Sequence, residues 1–390
     1  MSEVKVEIEI FDTTMRDGAQ SLPAIHQFPA DSKPIIADAI ASLGVGVIEA
    51  GFPATPGDAS EVNDVARSVG QSDYEVTVWN NGMSKTTVRP VVIAGLSRTV
   101  ASDIEATWDA IEIAKRPRIH TFVSTDPTHM EAKFPNKSPD EVRAMGRQAV
   151  AFAHDISNGH SGASIEFSAE AATTTNTSYL EKVIRDAVAE GADVINVPDT
   201  VGQRSPFWMK DFYRQVINWV HSENPKVAVS AHNHNDLGNA VANSIALIQA
   251  GAEHSMYKNV DTRVQIESTV CGLGERAGNA DVFPLIAGIF KFSEEMPANL
   301  VWEFNPFRSL CVAQSVMTAG GMNIDRQNPV VGSDINTHRS GIHSDGIIKG
   351  GHEIYTPFDP RFWGHGASAI HEEGKYQGKS GREAAMAYKT

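Results

Sequence analysis

Short apolar runs alternate along this chain with longer stretches in which apolar residues recur at helical spacing. The runs fall at residues 6–11, 47–52, 75–79, 119–124, 164–168, 194–198, 227–231 and 264–270. Each is the length of a buried strand. Between them, residues 30–43, 140–154, 178–190, 206–224 and 239–251 place apolar residues three and four apart, which predicts amphipathic helices. Eight strand–helix units over about the first 280 residues predict an α/β fold, a (β/α)8 TIM barrel, whose usual size is about 250 residues. A doubly wound open sheet shares the alternation. Polar residues after nearly every run favour the barrel, where chemistry sits at the C-terminal strand ends.

The pattern changes near residue 288. Residues 289–322 read as largely helical. Residues 325–366 are rich in Gly, Pro, His and Asp and read as loops, and 380–388 as the start of another helix. The expected organisation is a catalytic barrel over 1–288 and a small helical and loop subdomain over 289–390. There is no internal repeat beyond the barrel units.

Composition narrows the class. The 390 residues are 41% hydrophobic and 21% charged, as in an ordinary globular protein. A net charge of -15 argues against a general nucleic-acid surface, though not against a locally bound anion. Two cysteines, Cys271 and Cys311, cannot make a disulfide framework and fit a reducing cytoplasm. Met1-Ser2-Glu3-Val4-Lys5 lacks the basic and apolar regions of a signal peptide. No apolar run approaches the ~20 residues that span a membrane. The expectation is a cytoplasmic protein without nucleic-acid or membrane partners.

The candidate chemistry follows the runs. His232 and His234 sit two apart, directly after Val227-Ala228-Val229. Residues i and i+2 of a strand point to one side, so two imidazoles face one way. A carboxylate such as Asp17 completes a facial set of two imidazoles and one carboxylate, with positions open for substrate. Such a set suits polarisation of a carbonyl. Arg16 is a fixed donor for a carboxylate or a developing oxyanion, although a surface turn holding an Arg–Asp pair reads the same way. Glu49 stands among apolar residues and needs a partner, for which Arg16 would serve structurally. His120 reads as a hydrogen-bonded core residue. Glu170 sits where a catalytic acid or base would, or where a helix N-terminus favours a carboxylate. Thr200 suits either a substrate carboxylate or a helix cap. The glycines of Gly272-Leu273-Gly274-Glu275-Arg276-Ala277-Gly278-Asn279 allow close backbone approach, and Cys271 reads as a buried thiol.

Together these motifs resemble the 2-isopropylmalate synthase and homocitrate synthase family of metal-dependent, Claisen-condensing barrels. The matching segments are Asp12–Ser21, Glu49–Pro53, Ile119–Phe122, Glu166–Glu170, Asp199–Gly202, His232–Gly238 and Gly274–Asn279, with Ser340–Gly346 and Tyr355–Pro360 beyond the barrel. The resemblance implies a divalent metal (Zn, Mn, Mg or Co) on Asp17, His232 and His234, with Asn279 near or on it. It implies that Arg16 steadies the ketone oxygen, and that Thr200, His120, Ser168 and Gln20 surround the 2-oxo acid. Glu170, His343 and Tyr355 would handle the proton of acetyl-CoA, with His343 supplied by the other subunit of a homodimer. The reaction implied joins acetyl-CoA to a 2-oxo acid and hydrolyses the thioester, giving a 2-substituted malate.

Four departures from the family pattern concern the substrate. Ala19 replaces a frequent Glu, and Ser21-Leu22-Pro23-Ala24-Ile25-His26 lacks the usual Pro-Gly. Ala171 and Thr174 replace an Asp and an Arg, and Asn80-Asn81-Gly82 follows the third predicted strand. They suggest an altered 2-oxo acid pocket. The chain reaches Thr390 without the family's leucine-binding domain, so no leucine feedback is expected. 2-Oxoisovalerate is the default substrate. The alternatives are phosphonopyruvate or another 2-oxo acid, in a phosphonomethylmalate, citramalate or homocitrate type of synthase. A metal-dependent aldolase or lyase on the same barrel is a different class, and a non-catalytic metal-bound scaffold is a third.

Overall fold

The computed structural model describes residues 4–80 and 82–372. The chain divides into two compact units after Phe304.

The first unit contains eleven described strands: β1 (Lys5–Asp12), β2 (Val47–Gly51), β3 (Tyr74–Asn80), β4 (Met83–Arg89), β5 (Val92–Arg98), β6 (Pro117–Ser124), β7 (Ser164–Glu170), β8 (Val194–Asn196), β9 (Ala228–His232), β10 (Thr262–Ser268) and β11 (Asn299–Glu303). Eight of them, β1, β2, β5, β6, β7, β8, β9 and β10, are parallel neighbours, and the β10–β1 pairing closes the ring. This is the expected (β/α)8 barrel.

The run at 75–79 is not a barrel strand. It lies in β3, which forms an antiparallel hairpin with β4 and pairs antiparallel with β11. The third barrel strand is β5, whose Val92-Ile93-Ala94-Gly95-Leu96-Ser97 is buried throughout, while β3 is mostly half-exposed. A barrel strand is covered on both faces and so is apolar on both, which distinguishes β5. The β3–β4 turn falls beside Val301, toward the N-terminal end of β1. Asn80 and Gly82 therefore lie away from the C-terminal strand ends, and Asn81 is outside the described residues.

The predicted helical stretch 289–322 is interrupted. Helix Val282–Phe292 is followed by β11 and then by helix Ser309–Ala319. Only Phe11 and Asp12 of β1 pair with β2, which leaves the first half of that edge open. β11 fills it, from Lys5↔Asn299 to Ile8↔Trp302, and satisfies backbone groups an open edge would expose. The first unit accordingly continues past residue 288.

The barrel interior has two characters. Phe11, Val47, Val92 and Ala94 form an apolar cluster. Elsewhere a buried polar network replaces the aliphatic layers. Arg118 donates to Gln265 Oε1 (2.5 Å), Glu166 Oε2 (3.3 Å) and Glu9 Oε2 (3.2 Å), and Gln265 donates to Glu166 Oε1 (2.7 Å) and Ser230 Oγ (2.9 Å). Buried charges at such depth persist when paired and hydrogen-bonded. Outside, helices such as Pro139–Ser157, Pro206–Glu223 and Ala240–Lys258 cover the strands. Ser138 and Glu141 form a capping box that starts the first of these, a device worth about 1 kcal/mol.

The second unit carries helix Ser309–Ala319, helix Gly341–Gly350 and a short parallel pair, β12 (Thr337–His338) with β13 (Ile370–His371). The helix read at 380–388 lies outside the described residues. Among the described residues no helix is long and apolar enough to cross a membrane.

Candidate active site

After Asp12 the chain makes one wide helical turn, Thr14–Gly18, held by Thr13, whose hydroxyl accepts from the Asp17 amide. That turn directs Arg16 and Asp17 into the barrel mouth. Past β9, bridges Asp199↔Asn233 and His234↔Asn279 prolong the extended backbone, so His232 and His234 keep one side. Their Nε2 atoms are 3.3 Å apart, and His232 Nε2 is 3.5 Å from Asp17 Oδ2. One ligating atom from each of Asp17, His232 and His234 lies within 4.8 Å of the others, and all three residues are buried. Asn279 Nδ2 donates to Asp17 Oδ2 at 2.5 Å, while its buried Oδ1 has no partner among the described residues. Gly278, at φ +94, makes the tight return that brings Asn279 there.

The groups of this cluster shift one another's protonation. Burial resists a charged His232, but Glu267 and Asp17 outweigh it and push the imidazole up to about 10. Burial and the neighbouring His232 push His234 down to about 3. Burial disfavours the Asp17 anion, yet Arg16 and His232 hold it well below the usual carboxylate range. Glu267 Oε2 lies 2.7 Å from His232 Nδ1, so Nε2 is the nitrogen turned to Asp17. Two imidazoles and a carboxylate, one imidazole backed by a second carboxylate, match the ligand chemistry of a divalent metal.

Arg16 donates from Nε to Glu49 Oε2 (2.6 Å) and from Nη1 to Asp17 Oδ1 (3.0 Å). Glu49 is thus the structural partner expected for Arg16. Its other oxygen meets His120 Nδ1 at 2.7 Å, and His120 Nε2 meets Ser168 Oγ at 2.7 Å. Asn196 Nδ2 donates to the same hydroxyl at 2.8 Å. Burial works against a charged His120, but Glu49 raises its affinity for a proton above the usual value. His120 is therefore a hydrogen-bonded core residue with an edge on the cavity.

These side chains line a cavity of about 310 Å³. Nine of the twelve predicted positions, Arg16, Asp17, Gln20, His120, Ser168, Glu170, Thr200, His232 and His234, are on its wall, and Asn279 stands behind Asp17. Phe52, Leu96, Phe122 and Pro198 give the wall its apolar part. Thr200 caps no helix. Its oxygen accepts from the Ala171 amide (3.0 Å), which leaves its hydroxyl proton for another acceptor. Glu170 is engaged: Lys133 Nζ is 2.6 Å from both carboxylate oxygens, and Ser124 Oγ donates to one. Cys271 is a half-buried thiol pushed up by burial.

His343 and Tyr355 belong to the second unit. Their rings stack with centroids 4.0 Å apart and planes at 15°.

One expectation changes. Ala19, Ala171, Thr174 and Asn80 do not line the cavity, so those departures do not reshape its wall. Ala171 instead takes a left-handed turn (φ +60), and Thr174 and Thr175 close the turn on its carbonyl. Sequence reasoning also passed over Glu267 and Lys133. A lone carboxylate inside the apolar run Val264–Val270 was the available signal for Glu267. Nothing local marked Lys133, which reaches Glu170 from the end of the short helix Pro127–Lys133.

The HMGL-like family profile matches residues 7–292. Over 356 residues the chain is 36% identical to a 2-isopropylmalate synthase of Halalkalibacterium halodurans, covering 90% of this chain and 61% of the relative. It is 35% identical over 373 residues to a 2-isopropylmalate synthase of Caulobacter vibrioides, covering 95% and 63%. The chain thus spans about three-fifths of the length of these curated relatives. Among solved structures, HMG-CoA lyase of Brucella melitensis superposes with a TM-score of 0.57 at 16% identity, covering 81% of this chain and 99% of that one. That of Pseudomonas aeruginosa gives 0.54 at 17% identity, covering 83% and 94%. At such identity these likenesses speak for the fold alone.

Proposed function

Because the chain belongs to the HMGL-like family, we propose that it is an acyltransferase of the 2-isopropylmalate synthase type, condensing acetyl-CoA with a 2-oxo acid and hydrolysing the thioester. The observation that carries this reading is the convergence of Asp17, His232 and His234 beside Arg16 on one cavity wall. Those three residues fit a divalent metal, and Asn279 Oδ1, without a partner among the described residues, offers a fourth ligand atom. A bound metal would supply Lewis acidity toward the ketone and carboxylate of the 2-oxo acid.

The chain's own groups do the rest. Arg16 is held rigid by Glu49 and presents its guanidinium where the ketone oxygen gains charge. Thr200 offers a hydroxyl proton to the substrate carboxylate. Glu170, His343 and Tyr355 serve removal of the weakly acidic proton next to the thioester, which requires a placed base. His343 comes from a second copy in a homodimer. Its exposure, with that of its neighbour Ile342, supports a role on a face turned outward.

The 2-oxo acid is an aliphatic one, 2-oxoisovalerate before the others. The apolar wall suits a branched side chain, and both arginines on the cavity are already paired. Arg16 is bound to Glu49 and Asp17, and Arg276 to Asp236 at 2.9 and 2.8 Å. A phosphonate side chain would need a free cation.

The test is CoA-thiol release from acetyl-CoA against a panel of 2-oxo acids, with metal and with chelator. Metal-dependent release fastest with 2-oxoisovalerate is expected. Release only with phosphonopyruvate would overturn the substrate assignment. Silence across the panel, with cleavage of a 3-hydroxyacyl-CoA instead, would make the protein a lyase.

A further inference from the structure

Helix Gly341–Gly350 carries Gly346 and Gly350 one turn apart, on one face. Glycine is the poorest helix former after proline. Neither residue adopts a positive φ, so the backbone does not demand glycine at either place. What both provide is room. A β-carbon on Gly346 would lie 2.8 Å from Tyr355 Cε2, and one on Gly350 would collide with Ile354 Cδ1. After the turn His352–Ile354 the chain returns and lays Ile354 and Tyr355 onto this bare strip of helix.

The consequence falls on His343, three residues before Gly346 on the same helix. Seated over Gly346, the Tyr355 ring lies flat against the His343 imidazole, at 4.0 Å and 15°. His343 is exposed and would otherwise sample several rotamers. Behind it His338 is buried, with its ring 5.8 Å from that of His343.

We propose that Gly346 is a positioning residue: its missing side chain seats Tyr355 flat on His343, and so fixes the exposed imidazole and phenol as one oriented pair. The inference rests on the reading above, in which that pair serves proton removal.

The test is Gly346→Ala. Alanine favours the helix, and the obstructed atom is the far end of a rotatable side chain, so Tyr355 moves while the fold is kept. The first readout is the His343 ring-proton shift by NMR, assigned with His343→Asn. In the parent protein the Tyr355 ring shields these protons. Gly346→Ala and Tyr355→Leu should each remove the shielding, and the double variant should shift no further. A His343 resonance that Gly346→Ala leaves in place overturns the seat, whatever the activity.

The second readout is steady-state CoA release. Gly346→Ala should lower kcat about 10- to 100-fold with KM for the 2-oxo acid unchanged, the scale of a misplaced reacting group. It should add nothing in the Tyr355→Leu background. Independent, multiplying losses overturn the proposal, because Gly346 would then act through something other than Tyr355. A displaced resonance with unchanged kcat keeps the seat and overturns the role of the pair.

Discussion

Glu267 holds His232. Its Oε2 lies 2.7 Å from Nδ1, inside a wall where Glu267 is 1% exposed, and its Oε1 has no partner among the described residues. One carboxylate thereby sets which imidazole nitrogen faces Asp17 and how strongly that imidazole holds a proton.

Glu267→Gln is therefore expected to weaken divalent-metal binding about 10- to 100-fold, the usual scale for a partner behind a ligating histidine. Competition titration with a chromogenic chelator reads this directly. Parental affinity in the variant would show that Glu267 does not orient the site.

Metal binding should release protons. Without a cation His232 is pushed up to about 10, so at pH 8 it carries a proton that a metal must displace. Calorimetry at pH 8 in buffers of different ionisation enthalpy should show close to one proton released per metal. Affinity should rise with pH until about 10. Glu267→Gln, which removes the main influence raising His232, should reduce the release.

Arg16→Lys keeps the charge but loses the Nε bond to Glu49 and the planar fork. A fall in kcat of about 10²-fold is expected, as for removal of a donor to a developing oxyanion. An effect confined to KM would move Arg16 from the reacting oxygen to substrate binding.

The dimeric reading makes a complementation prediction. Asp17→Asn lacks a working barrel site and His343→Ala lacks the visiting imidazole. If His343 crosses between copies, co-refolding the two inactive proteins restores one intact site per mixed dimer. Activity should then approach roughly a quarter of parental, by two-fold symmetry. Mixtures that stay inactive would place His343 in its own chain's site, and a His343→Ala protein active by itself would place it outside catalysis.

A histidine pair far from the cavity gives the fold a pH dependence. His221 Nδ1 and His254 Nε2 are 3.1 Å apart, joining helices Pro206–Glu223 and Ala240–Lys258. Burial, then the charges of His221 and Lys258, push His254 down to about 4, and burial lowers His221. Below about 6.5 the unfolded chain takes up protons that the folded pair refuses. Stability should thus fall as pH drops from about 6.5 to about 4. Urea midpoints across this range should show it, and His254→Gln should flatten the slope relative to the parent.

Seven of the eight barrel strands were legible as apolar runs, because a strand covered on both faces has no polar side to hide it. His232 and His234 were legible for a local reason as well: two-residue spacing survives any packing. The third barrel strand was obscured. The run in β3 has the composition of a strand, and only pairing with β11 shows that it lies outside the ring.

The sequence by itself determined the period of each element, the side on which neighbouring residues face, and the residue types available for a cation. The tertiary structure alone decided who meets whom. Glu49 on β2 meets Arg16 and His120 from other parts of the barrel, Lys133 reaches Glu170 from the end of helix Pro127–Lys133, and Asn279 returns to Asp17 across 262 positions. Periodicity is a property of bonded neighbours and is written locally. Closure of the barrel brings distant strand ends to one mouth, and no local pattern encodes which side chains then stand within hydrogen-bond reach.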